Sequence, residues 1–285
     1  MRRSSLFAAL AAFAVAAATR ETHAAERWVD RPMTLPRLVF GGDVGIGIAH
    51  VRDYYRGPLF PDATGVGMNL EGAIGITDKV ELGFRTGLRF GGDGRFTGAD
   101  YYGRTLWKET YGTGAYDVYS GVPPRGGDTV ANPELRVRWT FYSGSVAEVG
   151  LDGRVYMPVE DGTRFGTMVG LPLAFHVGDI LRIDTGAYLP IVIQPPGVGA
   201  YNGLSFPAYF WFQATDRFWL GPMASLRVLD PGPGDHQAHL LLGIGMGVQV
   251  ARPVDLKWWL LFPQVDDGFA RTFGGGFGVA FRIGE

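Results

Sequence analysis

The side chains best placed to do chemistry in this chain are ionised rather than nucleophilic. There is no Cys among the 285 residues, which removes disulfides, thiolate metal sites and a cysteine nucleophile. A serine nucleophile and a histidine base on one strand face would stand two residues apart, because strand side chains alternate. None of His50, His176, His236 or His239 has a Ser two residues on. His176-Val177-Gly178-Asp179 reads as a turn, and Asp235-His236 and Asp266-Asp267 as acidic positions in exposed loops. No phosphate loop or zinc-ligand spacing occurs, so no cofactor or metal is expected. A net charge of −2 without a basic block gives no expectation of nucleic acid.

The distinctive feature is charge placed at every second position among apolar residues. The bases Arg85, Arg89, Arg136, Arg138, Arg154, Arg182, Arg227, Lys257 and Arg282 share a strand face with the acids Asp43, Glu71, Glu81, Glu134, Glu148, Asp152, Asp184 and Asp255. Such alternation is the signature of β-strands whose two faces meet different surroundings. In the best example, Val80, Leu82, Phe84, Leu88 and Phe90 lie on one face and Glu81, Gly83, Arg85, Gly87 and Arg89 on the other. Twelve segments follow this rule, near 38–50, 64–77, 79–90, 132–142, 146–158, 165–176, 180–193, 203–213, 217–229, 238–250, 253–263 and 272–283. Very short connections centred near 78, 144, 178, 215 and 252 alternate with longer ones, including a Tyr- and Gly-rich loop at 91–131. With no helix between strands, the pattern is an antiparallel meander.

Composition agrees. Gly accounts for 44 residues, with 19 Phe, 12 Tyr and 7 Trp, and the hydrophobic fraction is 46% against 19% charged. The polar faces are rich in Gly, which stabilises nothing on the solvent side of a strand, and no charge falls on an apolar face. Trp139, Phe141, Phe175, Phe212, Phe218 and Phe281 gather near the short turns, and Phe90, Phe165, Phe262 and Phe273 near the long connections.

Two aromatic girdles, strands of about ten residues and alternating short turns and long loops make residues 38–285 resemble bacterial outer-membrane β-barrels. The final strand, Gly276-Phe277-Gly278-Val279-Ala280-Phe281-Arg282-Ile283, is similar to their C-terminal assembly signal, although the chain continues to Gly284 and Glu285 where a terminal aromatic is usual. The resemblance is one of architecture and points to no subfamily. It implies an all-β fold, an antiparallel up-and-down transmembrane barrel of twelve strands, with outer-membrane lipid and the barrel-assembly machinery as partners. It also implies location in the outer membrane of a Gram-negative cell. Arg2-Arg3 followed by an apolar run from Leu6 to Ala18 reads as a signal peptide over residues 1–24. Residues 25–37 then form a periplasmic N-terminal segment.

In that frame the polar faces line the lumen, with Arg85, Arg89, Arg136, Arg138, Arg154, Glu71, Glu134 and Asp152 as the candidate lumen residues. Leu82, Phe84, Leu242, Ile244 and Phe277 are expected to face lipid. Turns centred on 78 and 144 set Glu71 opposite Arg85, Arg136 opposite Asp152, and Glu134 opposite Arg154. Arg89 and Arg138 then face Gly67 and Gly150 and keep their charge free, with Glu81 and Glu148 opposing it nearer the periplasmic mouth. Inward glycines on strands one, two, ten and twelve, such as Gly45, Gly245, Gly247 and Gly276, predict a wall without side chains and hence room. The functional expectation is a passive channel for small hydrophilic solutes with at most a weak anion preference, and no enzyme. The alternatives are a structural or adhesive barrel without transport and, more remotely, an outer-membrane hydrolase. Twelve-stranded outer-membrane phospholipases carry the His and Ser two residues apart that this chain lacks.

Overall fold

A computed structural model describes residues 26–51, 63–90, 130–157, 165–192, 202–230, 237–262, 265 and 272–284. The signal peptide expected over 1–24 and nearly all of the 91–131 loop lie outside the described residues.

Among the described residues twelve strands close into one antiparallel barrel: β1 (Phe40–Val51), β2 (Ala63–Thr77), β3 (Val80–Phe90), β4 (Val130–Ser143), β5 (Ala147–Tyr156), β6 (Gly166–Val177), β7 (Leu181–Val192), β8 (Asn202–Gln213), β9 (Phe218–Asp230), β10 (Gln237–Ala251), β11 (Val254–Phe262) and β12 (Thr272–Ile283). Each strand pairs with its sequence neighbours, and β1 pairs with β12 from Phe40↔Ile283 to Val51↔Thr272, so no strand edge is left open. An even strand number brings the start of β1 and the end of β12 to the same rim as the short turns, here called the turn end.

Alternation in sequence does not say which face is inside; burial does. Glu81, Arg85, Arg136 and Arg138 are buried, whereas their neighbours Leu82, Phe84, Val137 and Trp139 are each more than 40% exposed. The polar faces point into the barrel and the apolar faces out, the inverse of a water-soluble β-barrel and the arrangement that a hydrocarbon surround favours. Leu82, Phe84, Ile244 and Phe277 stand on this outer surface, and Leu242 lies half-exposed on the same face.

Register departs from expectation at one hairpin. Glu71 does lie opposite Arg85. Between β4 and β5, however, the turn takes three residues, 144–146, with a bulge at Thr140/Tyr142, and the pairing moves by two positions. A shift of two leaves every side chain on its face but changes its partner. Arg136 faces Arg154 rather than Asp152, Glu134 faces Tyr156 rather than Arg154, and Arg138 faces Asp152 rather than Gly150.

Residues 26–39, most of them in the N-terminal segment, fold into the turn end of the barrel, where Trp28, Val29, Arg31, Met33, Thr34, Leu35 and Val39 are buried. This strap starts with a single 3-10 turn, Trp28–Asp30, and continues irregularly, with a bend at Met33-Thr34 and a left-handed backbone at Leu38 (φ 63). It joins the wall where Leu38 N–H donates to Gly75 O (2.8 Å) and Gly75 N–H donates to Val39 O (3.0 Å). A Cβ at Gly75 would lie 2.0 Å from the Pro36 carbonyl oxygen, so glycine there is what lets the strap approach.

Candidate functional site: the lumen and its strap

The lumen has two halves of different chemistry. On β2 to β5 it is ionic. Arg136 reaches Glu71 (3.0 Å) and Glu81 (2.8 Å). Asp152 takes Arg138 (2.6 Å) and Arg154 (2.8 Å), and Arg154 also meets Glu134 (3.1 Å). Arg136 and Arg154 are directly opposed, yet each guanidinium is flanked by two carboxylates, which turns a repulsive pair into part of a near-neutral network. Arg138 is therefore not the free charge expected from its position. Arg89 is paired through its backbone with Gly67 as expected, while its side chain lies outside what the structure describes.

On β8 to β12 the lumen is aromatic. Tyr209, Trp211, Trp219, Met223, Leu241, Trp259 and Leu261 form one buried cluster with Trp28 of the strap. The glycine wall is what makes room for these rings. A Cβ at Gly247 would stand 2.2 Å from the Trp219 ring, one at Gly245 2.8 Å from Trp211, and one at Gly276 2.4 Å from Trp259. The glycines read from sequence as open space are thus covered by indoles lying against bare backbone. Strand-by-strand patterning cannot show this, because each indole belongs to a different strand from the glycine it covers.

The strap is held by inward side chains that grip its backbone. Gln213 Oε1 accepts from Val29 N–H (3.3 Å), Glu148 Oε2 from Met33 N–H (3.0 Å) and Glu81 Oε2 from Leu35 N–H (2.9 Å). His176 Nδ1 donates to Val29 O (2.7 Å), with Nε2 3.0 Å from Glu148 Oε1, and Arg182 donates to Arg31 O. Glu81 and Glu148, expected to oppose anions at the mouth, instead satisfy strap N–H groups that burial would otherwise strand. His176 sits at the end of β6 rather than in the turn, and both its ring nitrogens are engaged.

Two strap side chains complete the seal. The Trp28 indole stacks on Trp219 (4.7 Å between centroids, 6° between planes) and meets Trp211 edge-on at 6.1 Å. Arg31 forms a bidentate pair with Asp255 (2.6 and 2.9 Å), its guanidinium 4.9 Å from the Trp28 ring centroid. Stacking, cation–π contact and a two-bond ion pair thus converge on two strap residues. The sequence signal for this was slight: an apolar Trp28-Val29 and Met33-x-Leu35 in a stretch without strand periodicity. Among the described residues no cluster of side chains is suited to a metal ion.

No protein-family model matches this chain, and no curated protein sequence does either. Solved structures do. The COG4313 outer membrane channel from Pseudomonas putida F1 aligns over 89% of this chain and 99% of its own, with a TM-score of 0.57 at 11% identity. The NanC porin aligns over 84% and 98%, with a TM-score of 0.54 at 9% identity. The KdgM porin aligns over 84% and 98%, with a TM-score of 0.50 at 7% identity. At these identities the likeness is one of fold, and the fold is that of the outer-membrane β-barrels.

Proposed function

We propose that this chain is a channel of the Gram-negative outer membrane that passes small hydrophilic solutes, with the strap as the constriction at its periplasmic end. The observation that carries this reading is the inverted burial: ion pairs occupy the interior while Leu, Phe, Val and Ile cover the outside. A barrel embedded in lipid with a polar interior is what a water-filled route needs, and the turn end, with both termini, then faces the periplasm. Leu82, Phe84, Leu242, Ile244 and Phe277 contact hydrocarbon. Residues 1–24 direct export and are removed, and the assembly machinery recognises the last strand. Catalysis has no part in the reading.

The Arg138 charge is balanced by Asp152, so Arg89 is the lumen base of the original pair left to carry the weak anion preference proposed here. Arg89→Glu is expected to shift the reversal potential in a salt gradient toward cations, whereas Arg138→Glu is expected to destabilise the barrel by facing Asp152 with a second carboxylate. The tightness of the interior favours a second reading, a structural barrel without transport, since Arg138, Asp152 and Arg154 have almost no contact with solvent.

Planar-bilayer recording on the refolded protein separates the two. A channel conducts, and removing the seal with Trp28→Ala and Arg31→Ala raises its open conductance. A structural barrel stays silent in the parent and in the double variant alike, and that result would end the channel reading.

A further inference from the structure

Where the strap crosses the turn end it leaves an opening. Arg182 stands at the start of β7 and Arg282 at the end of β12, five places apart in the ring of twelve strands and so on nearly opposite walls. Both line a cavity to which the strap contributes Trp28, Arg31, Pro32 and Pro36. Together with the solvent at its mouth the cavity holds about 300 Å³, and the free space within it takes about one water-sized particle.

The lining is rich in donors. Three guanidiniums belong to it and no carboxylate does, because the acids that balance them, Asp255, Asp184 and Glu26, stand outside the lining. Arg31 spends both Nη atoms on Asp255 (2.6 and 2.9 Å), and its Nε–H is buried with no acceptor among the described residues. The Trp28 indole N–H is likewise buried without an acceptor, in a ring that stacking on Trp219 holds in place. Arg182 gives Nε to Asp184 (2.9 Å) and Nη1 to the Arg31 carbonyl, which leaves Nη2. Buried donors of this kind are costly unless something accepts from them.

The group that satisfies them must accept hydrogen bonds, be small and gain from positive surroundings. A halide ion meets all three conditions. A water would also have to place its own two protons, and no carboxylate lines the cavity to take them. We propose that this cavity is a binding site for a small monovalent anion, chloride or bromide, held by the N–H groups of Trp28 and Arg31 and by Arg182. The proposal deepens the channel reading and rests on it for one consequence: an anion crossing the strap pauses here, so the anion preference has a seat in the strap as well as at Arg89.

Bromide is the probe, because it stands in for chloride and scatters anomalously. In crystals of the folded protein grown from bromide, an anomalous peak is expected within hydrogen-bond distance of Trp28 Nε1 and Arg31 Nε. In detergent solution, potassium bromide is expected to raise the thermal midpoint saturably above its value in potassium gluconate of equal ionic strength, since an anion bound only by the folded state stabilises it. Trp28→Phe keeps a ring against Trp219 and removes the N–H, and should raise the bromide concentration for half the effect roughly tenfold or more. Trp258→Phe, which alters an indole on the outer face, leaves that concentration unchanged. Resistance of the Arg31 peptide bond to trypsin reports that the strap of the variant is still seated. If it is not, Arg182→Lys, which keeps a donor for the Arg31 carbonyl and gives up the spare nitrogen, takes its place with the same expected shift. No anomalous density in the cavity, equal stabilisation by bromide and gluconate, or an undiminished bromide response in the seated variant would overturn the proposal. Planar-bilayer recording keeps the two readings apart. A silent parent that still binds bromide removes the channel and leaves the site, whereas a conducting parent without a bromide response removes the site and leaves the channel.

Discussion

Asp152 accepts from two guanidiniums, Arg138 and Arg154, inside a wall that no solvent reaches. Removing one partner of such a group strands the others, at a cost of about 3–5 kcal/mol, whereas replacing a whole buried set by apolar residues is often close to neutral. Asp152→Ala is therefore expected to lower the urea midpoint of the detergent-folded barrel more than a triple replacement of Arg138, Asp152 and Arg154 by Leu or Met. The outer face obeys the opposite rule. Phe84→Arg should cost roughly 2–4 kcal/mol near the midplane, while Gly153→Ala, which has nothing within 4 Å of the new Cβ, should leave stability unchanged. Gly243 is no such benign control, because its Cβ would come within 2.6 Å of Leu261. No loss of stability for Phe84→Arg in a lipid-refolding titration would reverse the two faces.

At the scale of elements, the twelve strands and their two unlike faces were legible because alternation reports a two-sided environment directly, and Val80 to Phe90 shows it residue by residue. Partners were less legible. The two-residue displacement between β4 and β5 comes from one bulge and one extra turn residue, and neither Gly144 nor Tyr142 announces it. The strap was invisible for a physical reason: it has no ladder of its own, and its backbone groups are satisfied by side chains scattered from Glu81 to Gln213. Its dependence on the glycine wall gives a test. Gly247→Ala pushes the Trp219 ring and so unseats the Trp28 stack. The expected outcome is a red-shifted tryptophan emission and a higher open conductance, without loss of the barrel's heat-modifiable mobility on a gel. An unchanged spectrum would mean that the stack does not depend on that glycine.

For the molecule as a whole, closure is the step that ties the chain's beginning to its end. Val44 lies opposite Val279 across β1 and β12, so Val44→Cys with Val279→Cys should crosslink on oxidation and make the heat-unfolded chain migrate as a compact loop. Failure to crosslink in the folded protein would open the barrel at that seam. The strap extends the same linkage further. Glu26 reaches Arg282, 256 residues away, and the strap's other contacts fall on strands from β2 through β11. Contacts of such separation are the last to repay the entropy of bringing their partners together. The docking surface for the strap therefore does not exist until the strands that compose it have met, and the expected order of maturation has two stages: a closed cylinder first, and a constricted one later. In stopped-flow refolding this appears as a delayed change in tryptophan fluorescence that trails strand formation by circular dichroism and vanishes in Trp28→Phe. Between the two stages the newly inserted barrel stands open, so a cell making this protein faces its greatest leak at the moment of biogenesis rather than in the finished state.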